Sequence, residues 1–119
     1  MNPTLSLLQI ENKIREFNQE RDWSQYHSPR NLAMALNVEA AELMELFLWS
    51  SDDGPQPPVD GRLVQVDDEV ADVLICLLNF CHQLDIDLLE VTHRKIEKNR
   101  AKYPVEKSKG KLEKHNELD

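Results

Sequence analysis

The chain has 119 residues and a formal net charge of −8, from 22 Asp and Glu against 14 Lys and Arg. At this length a single domain with one hydrophobic core is expected, and a second catalytic domain is excluded. With only 3 Gly and 6 Pro, the composition is that of a folded chain and not of a low-complexity one. Because an acidic surface repels phosphate groups, binding to duplex nucleic acid is not expected.

Nothing in the sequence indicates a membrane or an oxidising compartment. Cys76 and Cys81 lie within one apolar run, at a spacing typical of neighbouring turns of a helix, so both are interpreted as reduced packing residues. No segment approaches the roughly 18 apolar residues that a membrane span requires, and the N-terminus has no targeting pattern. These features predict a cytoplasmic protein.

Apolar residues at helical spacing predict the first two helices. The first helix is expected to follow Thr4 as its N-cap and to continue as far as Arg21. Ser28-Pro29 combines a capping side chain with proline at the first helical position, so it predicts the start of a second helix. This helix is expected to end near Trp49-Ser50, before an exposed Pro- and Gly-containing loop over residues 51–61.

Two further helices complete the predicted fold. The third is expected from about Leu63 to Gln83, and its almost wholly apolar stretch predicts a central position in the bundle. Asp87 can cap a fourth helix that ends at Tyr103-Pro104. The polar residues 105–119 are expected to be a frayed, flexible tail. Because no strand-like alternation occurs, the predicted fold class is all-α.

Carboxylates occur on the apolar faces of two predicted helices. On helix two, Glu39 falls within the apolar stripe and Glu42 at its edge. On helix three, Asp72 and Asn79 are the only polar residues within Val70–Cys81; they lie two turns apart on one face, and Glu69 lies one turn before Asp72. Buried carboxylates need a compensating cation, and oxygen-only ligands favour Mg²⁺ or Mn²⁺ over Zn²⁺.

Two other interpretations of these acids are open at this point. Acidic residues at i,i+3 spacing are often solvated helix faces, which would bind no metal. Helical bundles also hold di-iron through two Glu-x-x-His pairs, but this chain has one such pair, Glu90 and His93. The di-iron site is therefore not favoured, whereas a site for Mg²⁺ or Mn²⁺ and a solvated acidic face both stay open at this point.

A basic segment near the end of helix four is a candidate phosphate site. Lys95, Asn99 and Lys102 continue its apolar stripe and are expected to point into the bundle. Cations near a helix C-terminus also interact favourably with the helix dipole, which is an alternative explanation, strongest for Arg94 and Lys98. An inward lysine facing metal-binding carboxylates suggests a nucleoside triphosphate as the ligand.

Aromatic residues at the two ends of helix two are candidates for stacking on a base. Trp23 and His27 precede the helix and Trp49 follows it, although packing at the edge of the core is the more common role of aromatic residues at such positions. The chain has no glycine-rich phosphate loop and no pattern of an activated nucleophile. Phosphate chemistry would therefore depend on metal and basic side chains.

Several segments together resemble the MazG-type, all-α nucleoside triphosphate pyrophosphohydrolases, and among them most closely the compact dCTP-pyrophosphatase-like branch. The resemblance covers about residues 5–104. It is carried by four stretches, which are Glu20–Leu32, Glu39–Trp49, Asp68–Ile75 and Lys95–Pro104.

The resemblance implies a four-helix module over residues 1–104 that assembles as a homodimer or homotetramer. It implies Mg²⁺-dependent cleavage of a nucleoside triphosphate between the α- and β-phosphates, giving monophosphate and pyrophosphate, as a house-cleaning activity on nucleotide pools. On the matching positions, the metal ligands would be Glu39, Glu42, Glu69 and Asp72. Phosphate or sugar contacts would come from Lys95 and Asn99, and more weakly from Arg100 and Lys102. The base pocket would be bordered by Trp23, His27 and Trp49, in part across a subunit interface.

One position departs from the family pattern. Cys76, four residues after Asp72, stands where relatives carry a tyrosine able to crowd a 2′-hydroxyl, so selectivity for deoxynucleotides is open. Two alternative functions are also open. One is a pyrophosphohydrolase specific for dUTP or phosphoribosyl-ATP, and the other is a non-catalytic helical module that binds nucleotides or a partner protein.

Overall fold

The computed structural model describes residues 4–49 and 63–118. Helices are the only regular secondary structure in these two ranges, which confirms the all-α prediction. The predicted loop over residues 51–61 lies outside the described residues. None of the described helices is both long and apolar enough to cross a bilayer. The α-helices are α1 (Leu7–Glu20), α2 (Pro29–Glu45), α3 (Leu63–Gln83), α4 (Leu88–Lys102) and α5 (Val105–Ser108), and short 3₁₀-helices cover Ser24–Tyr26 and His115–Glu117.

Local capping chemistry explains where two of the helices begin. The Ser28 hydroxyl accepts a hydrogen bond from the Asn31 amide at 3.1 Å, with Pro29 at the first helical position. Asp87 Oδ1 accepts one from the Glu90 amide at 3.2 Å. Both predicted caps are therefore confirmed.

The predicted start of α1 is wrong by two residues. Ser6, and not Thr4, is the N-cap, because Ser6 forms a capping box with Gln9. The Ser6 hydroxyl accepts from the Gln9 amide at 3.1 Å, and the Gln9 side chain accepts from the Ser6 amide at 2.8 Å. This exchange satisfies two backbone N–H donors. Thr4 has no partner with which it could form the same exchange.

The end of α2 also differs from the prediction. The α-helix stops at Glu45, four residues before Trp49. The backbone continues as tight turns in which Leu46, Phe47 and Leu48 each donate to the carbonyl three residues earlier, at 3.0–3.3 Å. Trp49 then adopts a φ of 65°, in the left-handed region that ends a helix.

The chain divides into two compact units, Met1–Asp85 and Ile86–Asp119. In the first, α2 packs along α3 and α1 contacts α3. Among its described residues, the buried side chains are Leu32 on α2, Leu78 and Cys81 on α3, and one polar residue, Asn18 on α1. Cys81 and the half-buried Cys76 are free, as predicted.

The second unit contains α4 and the segment that follows it. In that segment α5 forms one helical turn, and the ring of His115 meets that of Tyr103 edge to face at 6.0 Å. The assignment of residues 105–119 to a flexible tail stays a prediction. The domain boundary at residue 104 stays a prediction.

Candidate metal and nucleotide site

Three carboxylates from two helices meet between α2 and α3. Glu39 lies on α2, and Glu69 and Asp72 lie one turn apart on α3. One oxygen from each of the three lies within 4.8 Å of the other two. The i,i+3 spacing on α3 places its two acids on one face, and the packing of α2 along α3 brings Glu39 to them. The residues that the sequence analysis assigned to metal binding are thus brought together, with the exception of Glu42.

The negative charge of this group of three carboxylates is poorly stabilised by the residues around it. Glu39 Oε2 and Glu69 Oε2 are both buried and have no hydrogen-bond partner among the described residues. Burial raises the pKa of Glu39 from its ordinary value of 4.5 to about 7, with further contributions from the neighbouring carboxyls of Glu42 and Asp72. Burial and the proximity of Glu42 also raise the pKa of Glu69. The site holds more negative charge than its surroundings compensate.

Among the described residues, no ion pair involves these three acids. The ion pairs of the described residues join exposed side chains elsewhere, namely Glu20 with Arg21, Glu90 with Arg94, and Glu97 with Arg100. A divalent cation is the ligand that would satisfy three converging carboxylates, and an oxygen-only donor set suits a hard cation. The arrangement therefore fits a divalent metal on its chemistry.

Glu42 lies beside this group but outside it. It is half-buried on α2, one turn after Glu39, and close enough to raise the pKa of both Glu39 and Glu69. Its carboxylate is not among the three oxygens that converge. A role for Glu42 as a metal ligand stays a prediction.

A cavity of about 730 Å³ opens beside the acidic group, within the first unit. Glu39 and Asp72 contribute to its wall, which is otherwise mainly apolar and includes Phe17, Leu32 and Ile75. Its volume is within the range typical of small-molecule sites. An apolar cavity bordered by a cation site can hold a ligand that is flat and apolar at one end and anionic at the other.

Three of the predicted substrate-binding residues line this cavity: Trp23, His27 and Cys76. Asp22 follows α1 with a φ of 53°, and its backbone and side-chain oxygens accept from the side-chain Nε2 of Gln25 at 2.9 and 3.2 Å. This turn presents Trp23, whose ring meets Phe17 edge to face at 5.5 Å.

Cys76 is the predicted residue nearest the acids in sequence. Burial raises the pKa of its thiol, and the charges of Glu39 and Asp72 raise it further. The thiol is therefore neutral at physiological pH and acts as a small apolar wall residue, with little reactivity as a nucleophile.

The other predicted substrate residues are Trp49 in the first unit and four residues in the second. Trp49 is 93% exposed in the single chain. Lys95, Asn99, Arg100 and Lys102 lie on α4 in the second unit, where all four are exposed. Their assignment to phosphate or sugar contacts stays a prediction.

The sequence analysis missed several residues that the fold brings to the cavity. Asn18 and Phe17 on α1, Tyr26 in the 3₁₀-helix and Asn31 at the start of α2 all line it. A signal was present for Asn18, because it lies four residues after Ile14 and therefore on the apolar stripe of α1. A polar residue on an apolar stripe indicates a candidate site residue, as Glu39 does on α2.

The chain is similar to a known protein family and to several known proteins. Residues 34–118 match a family model described as the MazG-like family. The chain is 42% identical over 120 residues to mouse (Mus musculus) dCTP pyrophosphatase 1, covering 98% of this chain and 69% of that protein. It is 37% identical over 118 residues to the human (Homo sapiens) dCTP pyrophosphatase 1, with the same coverage of 98% and 69%. The crystal structure of a pyrophosphatase from Archaeoglobus fulgidus aligns with a TM-score of 0.76 and 36% identity, covering 87% of this chain and 97% of that one.

Proposed function

The chain belongs to the MazG-like family, and we propose that it is a metal-dependent nucleoside triphosphate pyrophosphohydrolase with dCTP or a similar deoxynucleotide as its substrate. The reaction is hydrolysis between the α- and β-phosphates, which gives the monophosphate and pyrophosphate. The relatives named dCTP pyrophosphatase 1 support the substrate class and a role in clearing nucleotide pools.

One observation carries this proposal: Glu39, Glu69 and Asp72 converge within 4.8 Å beside an apolar cavity, and two of them bury oxygens with no partner among the described residues. Such a group would weaken anion binding in a protein that holds no metal, because uncompensated carboxylates repel phosphate. With a divalent ion bound, the same group attracts phosphate.

These three carboxylates would hold the ion, which we propose to be Mg²⁺ with Mn²⁺ as a possible substitute. When bound, the ion neutralises negative charge on phosphate oxygens and favours attack by water. Glu42 lies next to the three acids but outside the converging group, so it is suited to accept a hydrogen bond from the attacking water. Glu42 is also the candidate for a further metal ligand.

The cavity residues would bind the nucleoside. Trp23 presents an aromatic face for stacking, and the apolar wall excludes water from the base. Cys76 lies one turn after Asp72 on α3, where the sugar would follow the phosphates. Phosphate contacts from Lys95 and Asn99 rest on residue type and on the family resemblance.

We further propose that the protein works as a homodimer or homotetramer. The chain leaves large apolar side chains exposed on both helices of its central pair, and association of two or more copies would bury such side chains. Examples are Met34 and Val38 on α2, and Val64 and Val70 on α3, which are 52–69% exposed.

The test is product analysis with each dNTP and NTP, with and without Mg²⁺. We expect Mg²⁺-dependent release of pyrophosphate, with dCTP among the best substrates. Glu39→Ala and Asp72→Ala should abolish release while the helical circular dichroism is kept, and Glu45→Ala, an exposed acid on the same helix as Glu39, should behave as wild type. Unchanged turnover in either site variant would exclude the assignment.

The same panel separates the alternatives. Turnover of dUTP or phosphoribosyl-ATP alone would indicate a narrower pyrophosphohydrolase. Stabilisation by nucleotides without any turnover would indicate a binding module.

A further inference from the structure

A lysine lines the cavity beside the acidic group, and the function proposed above gives it no role. Lys13 lies on α1, and it is the one lysine or arginine among the described residues in the wall of the 730 Å³ cavity. The same wall contains the carboxylates of Glu39 and Asp72, which both belong to the acidic group. The fold therefore brings a cation from α1 and the metal-binding acids of α2 and α3 to one cavity of the first unit.

Helical periodicity explains why Lys13 reaches this cavity. Ile10, Ile14 and Phe17 form the apolar stripe of α1, and all three line the cavity. Lys13 lies three residues after Ile10 and four before Phe17, so it falls on the same face of the helix. The methylene groups of a lysine can cover such an apolar wall while the ammonium group extends to a polar partner.

The ammonium group of Lys13 has no anionic partner among the described residues. Glu16 lies one turn later on α1, at a spacing that permits an ion pair, but none forms. Lys13 is not paired with Glu39 or Asp72 either, although all three line the cavity. A ligand in the cavity can therefore meet the lysine and the acidic group at separate points.

The charge balance of the cavity favours a second cation beside the metal ion. One divalent ion offsets two of the three negative charges of the acidic group, and the proposed substrate adds the charges of its phosphate chain. A further positive charge in the same cavity strengthens attraction for that chain. Lysine suits this task, because it binds phosphate as a point charge with three N–H donors on a flexible stem.

The position of Lys13 along α1 separates it from the aromatic part of the cavity. The Trp23 ring meets Phe17 edge to face at 5.5 Å. Lys13 lies one turn before Phe17, about 6 Å along the helix axis. This separation suits a ligand that stacks its base on Trp23 and carries its anionic part away from that ring.

We propose that Lys13 binds the phosphate chain of the substrate and is the cation that α1 contributes to the site. This inference rests on the proposed function, in which the substrate is a nucleoside triphosphate. The ammonium N–H groups donate to phosphate oxygens, which also contact the metal ion. Because the phosphate chain is charged in the bound substrate and in the transition state alike, loss of Lys13 raises KM more than it lowers kcat.

The alternative is a solvated lysine whose stem covers the apolar wall. In that case loss of the charge alone would leave nucleotide binding unaltered, and loss of the stem would affect nucleosides and nucleotides equally. The decisive measurement therefore compares ligands with and without phosphates.

The experiment measures two dissociation constants in the presence of Mg²⁺. One is that of the α,β-imido analogue of dCTP, by calorimetry, and the other is that of deoxycytidine, by NMR titration. Lys13→Met keeps an unbranched apolar side chain and removes the charge. We expect it to weaken binding of the analogue about tenfold, the effect of one hydrogen bond to a charged group, and to leave binding of deoxycytidine unchanged.

Two further variants control for charge and position. Lys13→Arg keeps the positive charge and should bind both ligands within about threefold of wild type. Arg15→Met removes an exposed cation from the same helix, two residues on, where it does not line this cavity, and should behave as wild type. The difference between wild type and Lys13→Met should become smaller as the salt concentration is raised.

Several results would overturn the proposal. They are wild-type affinity for the analogue in Lys13→Met, equal losses for the analogue and deoxycytidine, and an equal loss for the analogue in Lys13→Arg or Arg15→Met. Each would mean that the charge at position 13 does not bind the phosphate chain.

Failure of the proposed function gives a different result. If wild type binds the analogue but releases no pyrophosphate from any dNTP, the activity is excluded, and the two dissociation constants still decide the role of Lys13. If wild type hydrolyses dCTP and Lys13→Met has the same KM, the role of Lys13 alone is overturned. Absence of nucleotide binding by wild type would overturn both.

Discussion

Glu39 on α2 and Glu69 on α3 each bury a carboxylate oxygen that has no hydrogen-bond partner among the described residues, and their carboxylates lie within 4.8 Å of one another. Such a pair is unfavourable when both groups are ionised and no cation is present. The metal-free protein is therefore destabilised at this site, and the binding of protons or of a metal ion reduces that destabilisation.

The first prediction concerns pH. The pKa of Glu39 is raised from 4.5 to about 7 by burial and its acidic neighbours, so the folded state holds a proton that the unfolded state has lost. The stability that this proton provides is fully present below about pH 4.5 and is lost as the pH rises through about 7. Without metal, Tm should fall between about pH 5 and pH 8 by about 10 °C more in wild type than in Glu39→Gln, which cannot titrate there.

The measurement is thermal unfolding in EDTA across this pH range. Glu45→Gln is the control, because it removes an exposed acid from the same helix and should keep the wild-type slope. Parallel curves for wild type and Glu39→Gln would contradict the raised pKa.

The second prediction concerns metal binding. Mg²⁺ at about 100 times its dissociation constant should stabilise wild type by about 2.7 kcal/mol, since the ion binds the folded state alone. Glu69→Gln and Asp72→Asn each remove one charge from the converging group and should lose most of this gain.

Differential scanning calorimetry with and without Mg²⁺ gives the answer, and EDTA should reverse the shift. The Glu45→Gln control should respond to Mg²⁺ as wild type does. A full response in Glu69→Gln would mean that the ion binds elsewhere.

The two metal-binding helices show what sequence patterns can predict. The caps of Ser28 and Asp87 were predictable because each involves side chain and backbone within three residues. Glu39, Glu69 and Asp72 could be predicted as a group because each interrupts an apolar surface, where an ionised carboxylate is unfavourable unless its charge is compensated. Their convergence also required the two helices to pack together, which the apolar stripes indicated correctly.

The parts that were missed depend on tertiary contacts. Asn18 gains its partner Asn79 from 61 residues away. The apolar stripe of α1 marks the face of that helix that is buried, but no local pattern indicates which residue of α3 lies opposite Asn18. The tight turns after Glu45 shorten α2 although the apolar spacing continues through Phe47, because hydrogen bonds to the third preceding carbonyl replace the α-helical ones. Capping by Ser6 in place of Thr4 depended on the reciprocal bond from Gln9.

The third prediction distinguishes the two tryptophans. Trp23 lines the cavity, so Trp23→Ala should raise KM for dCTP about tenfold through loss of stacking, which is worth about 1–3 kcal/mol per base. It should also lower stability modestly, since the edge contact with Phe17 is lost. Steady-state kinetics and urea unfolding measure the two effects.

Trp49→Ala is the matched comparison, because Trp49 is 93% exposed in the single chain. An equal rise in KM for this variant would mean that Trp49 reaches a cavity of a partner subunit, as the family resemblance implies. No change in KM for Trp23→Ala would contradict stacking in the cavity.

The last prediction concerns the sugar. Cys76 lies one turn after Asp72 on α3 and lines the cavity, where it presents a small, neutral thiol, because burial and the nearby acids raise its pKa. A small side chain at this place leaves room for a 2′-hydroxyl, so wild type should hydrolyse dCTP and CTP at rates that differ by only a few fold. Cys76→Tyr should crowd that hydroxyl and increase the preference for dCTP about tenfold, the order of discrimination that steric fit provides. Cys76→Ser, which keeps the small volume, should retain the wild-type ratio. Competition between the two triphosphates in one reaction measures the ratio directly, and an equal loss of both activities in Cys76→Tyr would show that position 76 does not contact the sugar.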